Sequence, residues 1–465
     1  MPESDKISRR EFLGKAAAGT AAVSLGLFQS APASGRVLGA NDRINIGMIG
    51  LGGRGSAIVG ELLELSRSGR YRLQIVACCD VWDKRAQDNA RRCGDSVKVT
   101  RDYREILQMP EVDAVVIATP DHWHAKQSID AMKAGKDVYC EKPMTLYWDE
   151  AKEVARVARE TKRVFQCGAQ SASDGRWWRA GQIVKAGGIG PIIWSQTGAF
   201  RNDPNGDWNW PIQPCRPGVD LDWDMWLGHE FGLAPKRPYD PERYSRFRKY
   251  WDYSGGLATD LLYHSLSHLL IGLGGGFPSE VVATGCQTVH GLENDNREVP
   301  DNFHTLIRYP QKHVVQMAAT QENQTGVAEL IRGEYATLSI EGPYVVIRPE
   351  PPFRDRMTEM SRNRDIFPDA EVITEKDGQG RERVTEIRVR GIQRAGHMEN
   401  FLDCVRSREQ PSLNADLAYQ VMVPIALSVR AYREGRTIYF DPNTETVPGE
   451  RAPVRPWKQG RRLLR

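Results

Sequence analysis

Three side chains of this 465-residue chain could together move a proton. Lys142 lies in the run Glu141-Lys142-Pro143, and Asp260 and His264 follow far downstream at an i, i+4 spacing. Oxidation of a secondary alcohol removes the hydroxyl proton as hydride leaves the carbon. A lysine amine or a histidine imidazole can take that proton when its surroundings disfavour the charged form. These residue types therefore indicate proton transfer at a hydroxyl group.

The spacing of Asp260, His264 and His268 leaves three interpretations open. On a helix, residues four apart share one face. The histidines could be satisfied within the core. All three residues could bind a divalent metal, because histidine and carboxylate at this spacing suit zinc. Alternatively, Asp260 and His264 orient a substrate and relay a proton beside Lys142, with Asp260 fixing the tautomer of His264 or accepting a sugar hydroxyl.

A dinucleotide-binding signature follows the apolar run 44–49. The segment Gly50-Leu51-Gly52-Gly53-Arg54-Gly55 fits G-x-G-x-x-G between a predicted strand and a predicted helix, which is the context that supports the motif. Gly50 permits a tight turn, Gly52 lets the backbone approach a pyrophosphate, and Gly55 lets helix and strand pack closely. The pyrophosphate would meet free N–H groups at the positive end of the helix.

Asp80 ends the second apolar run, 73–79. A carboxylate there can accept both ribose hydroxyls of NAD and would repel the 2′-phosphate of NADP. It lies later than the usual distance of ~20 residues, and the polar insert 66–70 accounts for the excess. Lys84 and Arg85 could still bind a 2′-phosphate. The sequence therefore predicts NAD, with NADP as the alternative.

The elements that position these residues alternate between apolar strands and helices. Further strands are predicted at 112–118 and 137–140, and the loops after the carboxyl ends of such strands form the ligand crevice of a doubly wound sheet. We expect the cofactor site on and beside these loops. Its predicted residues are Gly50, Leu51, Gly52, Gly53, Arg54, Gly55, Asp80, Thr119, Pro120, Asp121, Trp123, His124, Glu141, Lys142 and Gln170.

The second half of the chain has the alternation and tight turns of an antiparallel sheet. Strands are predicted at 191–199, 281–289, 305–309, 313–320 and 336–348. Residues 351–383 are rich in charge, Pro and Gly, and are predicted as a long excursion or mobile loop. Helices are predicted at 176–186, 398–405 and 417–434, the last bent at Pro424 and ended by Gly435.

An aromatic segment runs from Trp208 to Tyr253 and contains five tryptophans. Aromatic rings stack on the C–H faces of sugars, and neighbouring Arg and Asp side chains bind hydroxyls. The same rings could instead belong to the core or to an oligomer interface. The sequence leaves these two interpretations open.

Composition excludes several classes of protein. Lys and Arg number 63 against 60 Asp and Glu, a net charge of +3, so no basic field points to nucleic acid as a partner. The eight cysteines include no C-x-x-C pair, which argues against a disulfide scaffold or a Cys-only zinc site.

The first 33 residues have the order of an export signal. Ser8-Arg9-Arg10-Glu11-Phe12-Leu13 is a twin-arginine motif, the apolar stretch 16–28 is too short to span a membrane, and Ala31-Pro32-Ala33 offers a cleavage site. The alternative is a short buried helix with an accidental arginine pair. We expect a soluble periplasmic protein, exported folded, with NAD tightly bound because the periplasm supplies no free nucleotide.

The expected organisation has four parts. They are a signal peptide at 1–33, an NAD-binding domain at 42–165, a substrate-binding domain at 166–445 and a tail at 446–465. Helices within 397–435 could pack back toward the first domain.

The ordered set of motifs resembles the glucose–fructose oxidoreductase / inositol dehydrogenase (Gfo/Idh/MocA) family over nearly the whole mature chain. The residues that carry the resemblance are Gly50 to Gly55, Thr119-Pro120 with His124, Ala134-Gly135-Lys136, Glu141-Lys142-Pro143, Gly255-Gly256 with Asp260 and His264, and His397 to Phe401.

The resemblance implies an α/β Rossmann domain followed by an α+β domain with a large, open, mostly antiparallel sheet. It places substrate between that sheet and the nicotinamide, and it favours Lys142, Asp260 and His264 as catalytic residues without a metal. Many relatives have Asp where this chain has His268, so the weaker hypothesis of a metal site at Asp260, His264 and His268 is kept.

These observations predict an NAD(H)-dependent oxidoreductase that transfers hydride to or from a secondary hydroxyl of a sugar, glycoside or polyol. One alternative is a glycosidase that uses NAD in a closed redox cycle of oxidation and elimination. Exported relatives include such enzymes, but those replace the lysine that this chain keeps as Lys142. Another alternative is a non-catalytic NAD- or carbohydrate-binding protein. The expected partners are a small carbohydrate and further copies of the chain through the open sheet, with no nucleic acid and no membrane span.

Overall fold

The computed structural model describes residues 43–289 and 295–449. The expected signal peptide at 1–33 and the expected tail from residue 450 onward lie outside the described residues. Within the described ranges, none of the helices combines the length and the apolar character needed to cross a membrane.

The first sheet contains six parallel strands in the order β3-β2-β1-β4-β5-β6. Their runs are short and apolar, and most of their residues are buried, as expected for strands covered on both faces. The order reverses between β1 and β4, which opens a crevice at the carboxyl ends of the strands. The strands are β1 (Ile44–Ile49), β2 (Leu73–Cys79), β3 (Lys98–Thr100), β4 (Ala114–Ile117), β5 (Asp137–Glu141) and β6 (Phe165–Gly168).

Five α-helices connect these strands within the described residues. The first four pack on the sheet, and the fifth packs mainly on the fourth and on a later helix, Ala415–Glu434. In the first of them Ile58, Val59 and Leu62 face the core. The third begins after Asp102, whose side chain accepts from the N–H of Arg104 and caps the first turn. The helices are α1 (Gly53–Arg67), α2 (Asp83–Cys93), α3 (Tyr103–Gln108), α4 (Asp121–Lys133) and α5 (Trp148–Thr161).

The second sheet contains ten strands in the order β14-β15-β13-β12-β11-β7-β10-β9-β8-β16. Every pairing is antiparallel except β7 with β10. The two sheets confirm the fold class expected from the sequence. The strands are β7 (Ile192–Phe200), β8 (Glu280–Cys286), β9 (Asn302–Arg308), β10 (Val314–Thr320), β11 (Leu330–Gly333), β12 (Ala336–Glu341), β13 (Tyr344–Pro349), β14 (Glu371–Lys376), β15 (Glu382–Arg390) and β16 (Ile438–Tyr439).

Seven further α-helices accompany this sheet in the described part of the chain. The last of them contains Pro424 and ends at Glu434, and Gly435, with φ 62°, caps it, so the predicted end of this helix is confirmed. It packs against both α5 and β8 and so lies between the first domain and the second sheet. The helices are α6 (Gly175–Lys185), α7 (Trp223–Leu227), α8 (Pro241–Ser245), α9 (Tyr263–Leu273), α10 (Arg354–Met360), α11 (His397–Ser407) and α12 (Ala415–Glu434).

The prediction of a loop at 351–383 is wrong. The segment contains α10, β14 and the start of β15. Along β15 the side chains of Val384, Ile387 and Val389 are buried, while charged residues alternate with them. The apolar alternation of β15 was hidden by the charged residues of its other face and of β14, which is the exposed edge strand of the sheet.

Helix α11 returns to the first domain and packs on one face of its sheet. Met398, Phe401 and Leu402 belong to the same apolar cluster as residues of β1 and β4. The Nε2 amide of Gln166 donates to the His397 carbonyl at 2.6 Å, and the N–H of Cys167 donates to the Leu413 carbonyl at 3.0 Å. The free edge of β6, the last strand of the first sheet, is therefore hydrogen-bonded by residues near the end of the second domain.

Candidate functional site

A cavity of about 740 Å³ opens at the carboxyl ends of the first sheet, facing residues of the second domain. It gathers most of the predicted site residues, from both halves of the chain. Those that line it are Gly50, Gly52, Gly53, Arg54, Asp80, Thr119, Pro120, Asp121, Trp123, Glu141, Lys142, Gln170, Asp260 and His264. Leu51, Gly55, His124 and His268 lie outside its lining.

The glycine-rich loop between β1 and α1 can only be built with glycines at two positions. Gly50 has φ 85°, and a Cβ there would lie 2.7 Å from the carbonyl carbon of Ala118. A Cβ at Gly55 would lie 2.0 Å from the Gly50 oxygen. The first turn of α1 follows Gly52 with no side-chain cap, so its N–H groups are left for an anion. This cradle fits a pyrophosphate.

Asp80 is buried and holds the glycine-rich loop in place. Its Oδ2 accepts from the N–H of Leu51 at 2.7 Å, and its Oδ1 accepts from the N–H of Trp82 at 2.9 Å. Burial raises the pKa of Asp80, while Arg85 and these two N–H groups act in the opposite direction. Each carboxylate oxygen keeps a lone pair for a ribose hydroxyl. Leu51 thus contributes its backbone to Asp80 rather than lining the cavity.

Arg85 lines the same end of the cavity without a side-chain hydrogen bond or ion pair to the described residues. Its guanidinium carbon lies 5.2 Å from the Trp82 ring and 5.4 Å from the Tyr244 ring. Stacking between these two rings holds the group in place. A cofactor phosphate or an adenine ring could contact it there.

Arg54 and Glu141 join the glycine-rich loop to the loop after β5. The Nε of Arg54 donates to Oε1 of Glu141 at 2.7 Å. Gln170 donates to the same oxygen at 3.4 Å and to the Gly168 carbonyl at 3.0 Å. These three predicted residues brace the site as well as lining it.

His124 has a different position from the one expected. Its Nδ1 lies 2.6 Å from the Pro143 carbonyl and its Nε2 lies 2.8 Å from the Thr119 carbonyl. The ring is buried and points away from the cavity. His124 therefore ties the loop after β4 to the loop after β5, and it can position a cofactor only through those loops.

Asp121 and Trp123 connect the start of α4 to the second domain. Asp121 accepts from the hydroxyls of Ser254 at 2.8 Å and Thr259 at 3.4 Å, and burial raises its pKa. The indole N–H of Trp123 donates to the Trp226 carbonyl at 2.8 Å. Both residues are thus largely committed to protein partners.

Asp260 is the centre of the charged cluster at the other end of the cavity. The ammonium of Lys142 donates to its carboxylate and, at 2.9 Å, to its backbone carbonyl. Arg248 donates through Nε at 2.7 Å, and Trp208 donates its indole N–H at 3.1 Å. Burial raises the pKa of Asp260, but Arg248 and Lys142 outweigh it and hold that pKa far below its usual value. Asp260 is therefore ionised and orients Lys142 rather than acting as a base.

His264 lines the cavity beside this cluster and makes no side-chain hydrogen bond to the described residues. Burial, followed by the charge of Lys142, lowers its pKa to about 3. The imidazole is thus neutral near pH 7, so one ring nitrogen can accept a hydrogen bond from a ligand and the other can donate one. Its tautomer is not fixed by Asp260, because that carboxylate is taken by Lys142, Arg248 and Trp208.

His268 does not share this site. Residues Ala258–Leu262 form a π-helical turn before α9, which changes the angular spacing between Asp260 and the histidines. The Nε2 of His268 lies 2.8 Å from Glu329 and its Nδ1 lies 3.0 Å from the Ser171 hydroxyl, with the ring stacked on Trp177. Within residues 43–289 and 295–449, no three His, Cys, Asp or Glu side chains gather to hold a metal.

Most of the aromatic segment packs on the first domain and covers the end of the cavity near Asp80. Leu221 forms a β-bridge with Trp82, and the N–H of Asp222 donates to the Val81 carbonyl at 2.9 Å. The rings of Trp223 and Trp226 stack 4.8 Å apart in the cluster that contains Trp82 and Leu221. For these residues the core interpretation holds.

Trp208 and Trp210 face the other end of the cavity, and Trp210 is 46% exposed. There a ring remains available for a sugar face. Arg248 and Arg201 also line this end, and neither was singled out from the sequence. The sequence signal that could have found them is a group of arginines close to tryptophans, a pattern that many surface segments share.

Two models of one protein family match the chain. The model described as "Oxidoreductase family, NAD-binding Rossmann fold" matches residues 44–169, and that described as "Oxidoreductase family, C-terminal alpha/beta domain" matches residues 233–440. Together they cover both domains that form the cavity.

Individual relatives match over shorter stretches. The scyllo-inositol 2-dehydrogenase (NAD(+)) of Bacillus subtilis is 34% identical over 29% of this chain and 42% of its own. A glycosyl hydrolase family 109 protein of Solibacter usitatus is 33% identical over 34% of this chain and 38% of its own. The chain spans between 38% and 51% of the first curated relatives that it matches.

Among solved structures, a levoglucosan dehydrogenase in complex with NADH and levoglucosan is similar with a TM-score of 0.60. The match covers 86% of this chain and 99% of that one at 18% sequence identity. At this identity the similarity shows a shared fold.

Proposed function

The chain belongs to the Gfo/Idh/MocA oxidoreductase family, and from that premise we propose that it is an NAD(H)-dependent oxidoreductase. Hydride would pass to or from a secondary hydroxyl of a sugar, glycoside or polyol. One observation carries the proposal: the glycine-rich cradle and the proton-transfer groups Lys142 and His264 line a single cavity. The names of the inositol and levoglucosan dehydrogenases support a polyhydroxylated substrate.

The cofactor would extend along the cavity from Arg85 and Asp80 to Lys142. The N–H groups of the first turn of α1 would bind the pyrophosphate, and Asp80 would accept the ribose hydroxyls. We favour NAD over NADP because the Asp80 carboxylate would repel a 2′-phosphate, although Arg85 could partly offset that repulsion. When bound there, NAD supplies the acceptor or the donor of the hydride.

Proton transfer would run through Lys142 in both directions, with His264 beside it. In the reducing direction the Lys142 ammonium donates a proton to the carbonyl oxygen, and in the oxidising direction the neutral amine takes up the hydroxyl proton by the reverse of that step. His264, neutral near pH 7, would hydrogen-bond the reacting oxygen and help to relay the proton. Asp260 holds the ammonium by its carboxylate and its backbone carbonyl, so one N–H of Lys142 remains for the substrate.

Tight cofactor binding, export and self-association complete the proposal. The aromatic segment covers the Asp80 end of the cavity, which supports slow release of NAD. The motif at residues 8–13 supports export to the periplasm. The uncovered face of the second sheet exposes Val282, Ile193, Leu306 and Tyr439, with 40% to 54% of each accessible, which supports a homo-oligomer through this face.

The test uses purified protein loaded with NAD and a panel of sugars, methyl glycosides and polyols. We expect a keto product with any glycosidic bond intact, formed in step with NADH. Free sugar without net NADH, with exchange of the neighbouring C–H for solvent deuterium, would favour the redox-cycling glycosidase. Binding without turnover across the panel would favour a non-catalytic protein.

The matched variants are Lys142→Ala and His264→Ala. Each should lower turnover by ~10²–10⁴-fold with NAD still bound, because each removes a proton-transfer group. Lys133→Ala, a change at an exposed residue near the end of α4 and outside the cavity lining, serves as the control and should leave turnover unchanged. Full activity in Lys142→Ala would contradict the mechanism.

A further inference from the structure

Arg248 presents unpaired hydrogen-bond donors to the substrate end of the cavity. Its Nε donates to Asp260 at 2.7 Å, and this is its only side-chain hydrogen bond among the described residues. The guanidinium carbon lies 4.6 Å from the Phe247 ring and 5.5 Å from the Trp210 ring. The group is therefore held in one plane with Nη1 and Nη2 left for a ligand.

Arg201 is a second cation on the same side. It lines the cavity at the end of β7, and its charge contributes to lowering the pKa of His264. Among the residues that the structure describes, it forms one ion pair, to Asp207, which is long at 3.5 Å. The side chain is 52% exposed and so has room to reach a ligand.

The cluster around Asp260 holds more cations than carboxylates. Asp260 is shared by Lys142 and Arg248, so this trio carries one excess positive charge. Glu141 is paired with Arg54, outside the trio. Asp121, the remaining carboxylate of the lining at this end, accepts hydrogen bonds from the hydroxyls of Ser254 and Thr259. Burial raises its pKa, while the charges of Arg248 and Lys142 act in the opposite direction.

We propose that the substrate is an acidic sugar, whose carboxylate is bound by Nη1 and Nη2 of Arg248 with Arg201 as a second cation. The planar fork of a guanidinium matches the two oxygens of a carboxylate. The Trp210 ring offers a face for the sugar carbons beside it. The proposal deepens the proposed function, since it assigns the substrate class of the same cavity.

The experiment compares matched ligands on the NAD-loaded protein. The pairs are glucose with glucuronate, galactose with galacturonate, and their methyl glycosides, with glucose 6-phosphate as a separate anionic sugar. Binding is measured by calorimetry and turnover by NADH absorbance. We expect at least one acid to bind about tenfold or more tightly than its neutral partner, since a charged hydrogen-bonded pair is gained.

The variant Arg248→Lys tests recognition of the ligand carboxylate separately from the ion pair with Asp260. It keeps a positive charge near Asp260 but loses the fork, and should weaken the acid by about 10- to 100-fold while changing the neutral partner little. Arg179→Gln, on α6 and outside the cavity lining, is the control and should change neither ligand. Thermal unfolding and NAD content of each variant confirm that it is folded and loaded.

Equal binding of acids and neutral sugars, or equal losses for both in Arg248→Lys, would overturn the proposal. Binding of the sugar phosphate without any acid, or of no acid at all, would also overturn it. Selective binding of an acid without turnover would instead refute the oxidoreductase proposal and support the acidic-sugar proposal. Turnover of neutral sugars with no preference for acids would refute the acidic-sugar proposal alone.

Discussion

Replacement of Asp80 should damage both the protein and its cofactor site, and the two effects can be separated. In Asp80→Ala the N–H groups of Leu51 and Trp82 lose their acceptor. An unsatisfied buried donor costs about 1–3 kcal/mol, so two donors lower the free energy of unfolding by about 2–6 kcal/mol without any cofactor. Asp80→Asn keeps one acceptor oxygen and should lose about half as much.

The effect on NAD comes in addition. A hydrogen bond to a charged group contributes about 1.5–3 kcal/mol, so loss of the ribose contacts should raise the Kd for NAD by about 10- to 150-fold. Damage to the glycine-rich loop weakens NAD and NADP alike. The ratio of the two affinities therefore isolates the ribose contact, and it should shift toward NADP in Asp80→Ala.

The assay combines urea unfolding of the cofactor-free protein with calorimetric titration of NAD and NADP. Asp88→Ala is the matched control, because Asp88 lies on α2 with partners only at its surface, and it should change stability by less than ~0.5 kcal/mol. Unchanged stability in Asp80→Ala would refute the hydrogen bonds to the loop. An unchanged preference for NAD would refute the position of Asp80 at the ribose.

Two further predictions concern release of the cofactor and acid stability. Acid extraction of the native protein should yield NAD in near-stoichiometric amount. Leu221→Ala empties a fully buried position beside Trp82, so it should lower the free energy of unfolding by about 2–5 kcal/mol and speed the release of NAD. An unchanged release rate, measured by cofactor exchange, would contradict the role of the aromatic segment as a cover. Burial lowers the pKa of both His122 and His264 from 6.5 to about 3, so between these values the unfolded chain binds protons that the native protein does not, and stability should fall as the pH falls. The loss should be on the order of 2 kcal/mol per histidine between pH 7 and pH 5, and a urea midpoint that stays constant over this range would refute it.

The cofactor half of the site could be predicted closely because its signals are local. Gly50 and Gly55 belong to one recognisable strand–loop–helix motif, and Asp80 follows directly from the end of a strand. Only the Gly55 contact lies within that unit, whereas Gly50 is required by the close approach of Ala118 after β4. The position of His124 could not be predicted in this way. Its partners are carbonyls of two separate loops, and a sequence gives no sign of which way a ring in the first turns of a helix points.

The substrate half depends on contacts between distant segments. The i, i+4 spacing predicts a regular helix from Asp260 to His268. In the structure the π-helical turn Ala258–Leu262 precedes α9, and His268 pairs with Glu329. Arg248 is brought to Asp260 by the fold of the aromatic segment rather than by any spacing. The sequence therefore indicated the chemistry of the substrate half but not which side chains contact Asp260 and His268.

The closure of β6 by residues from the far end of the chain bears on how such proteins can be recombined. The N–H of Cys167 is satisfied by Leu413, and Asn414 forms a bridge with Gln166. A fragment cut after residue 169 would carry a bare strand edge, and it would expose the apolar surface that α11 covers, which together favour aggregation. The nucleotide-binding domain therefore cannot be moved alone into another protein. A chimaera that grafts a new substrate domain onto it would need to bring residues 397–414 along.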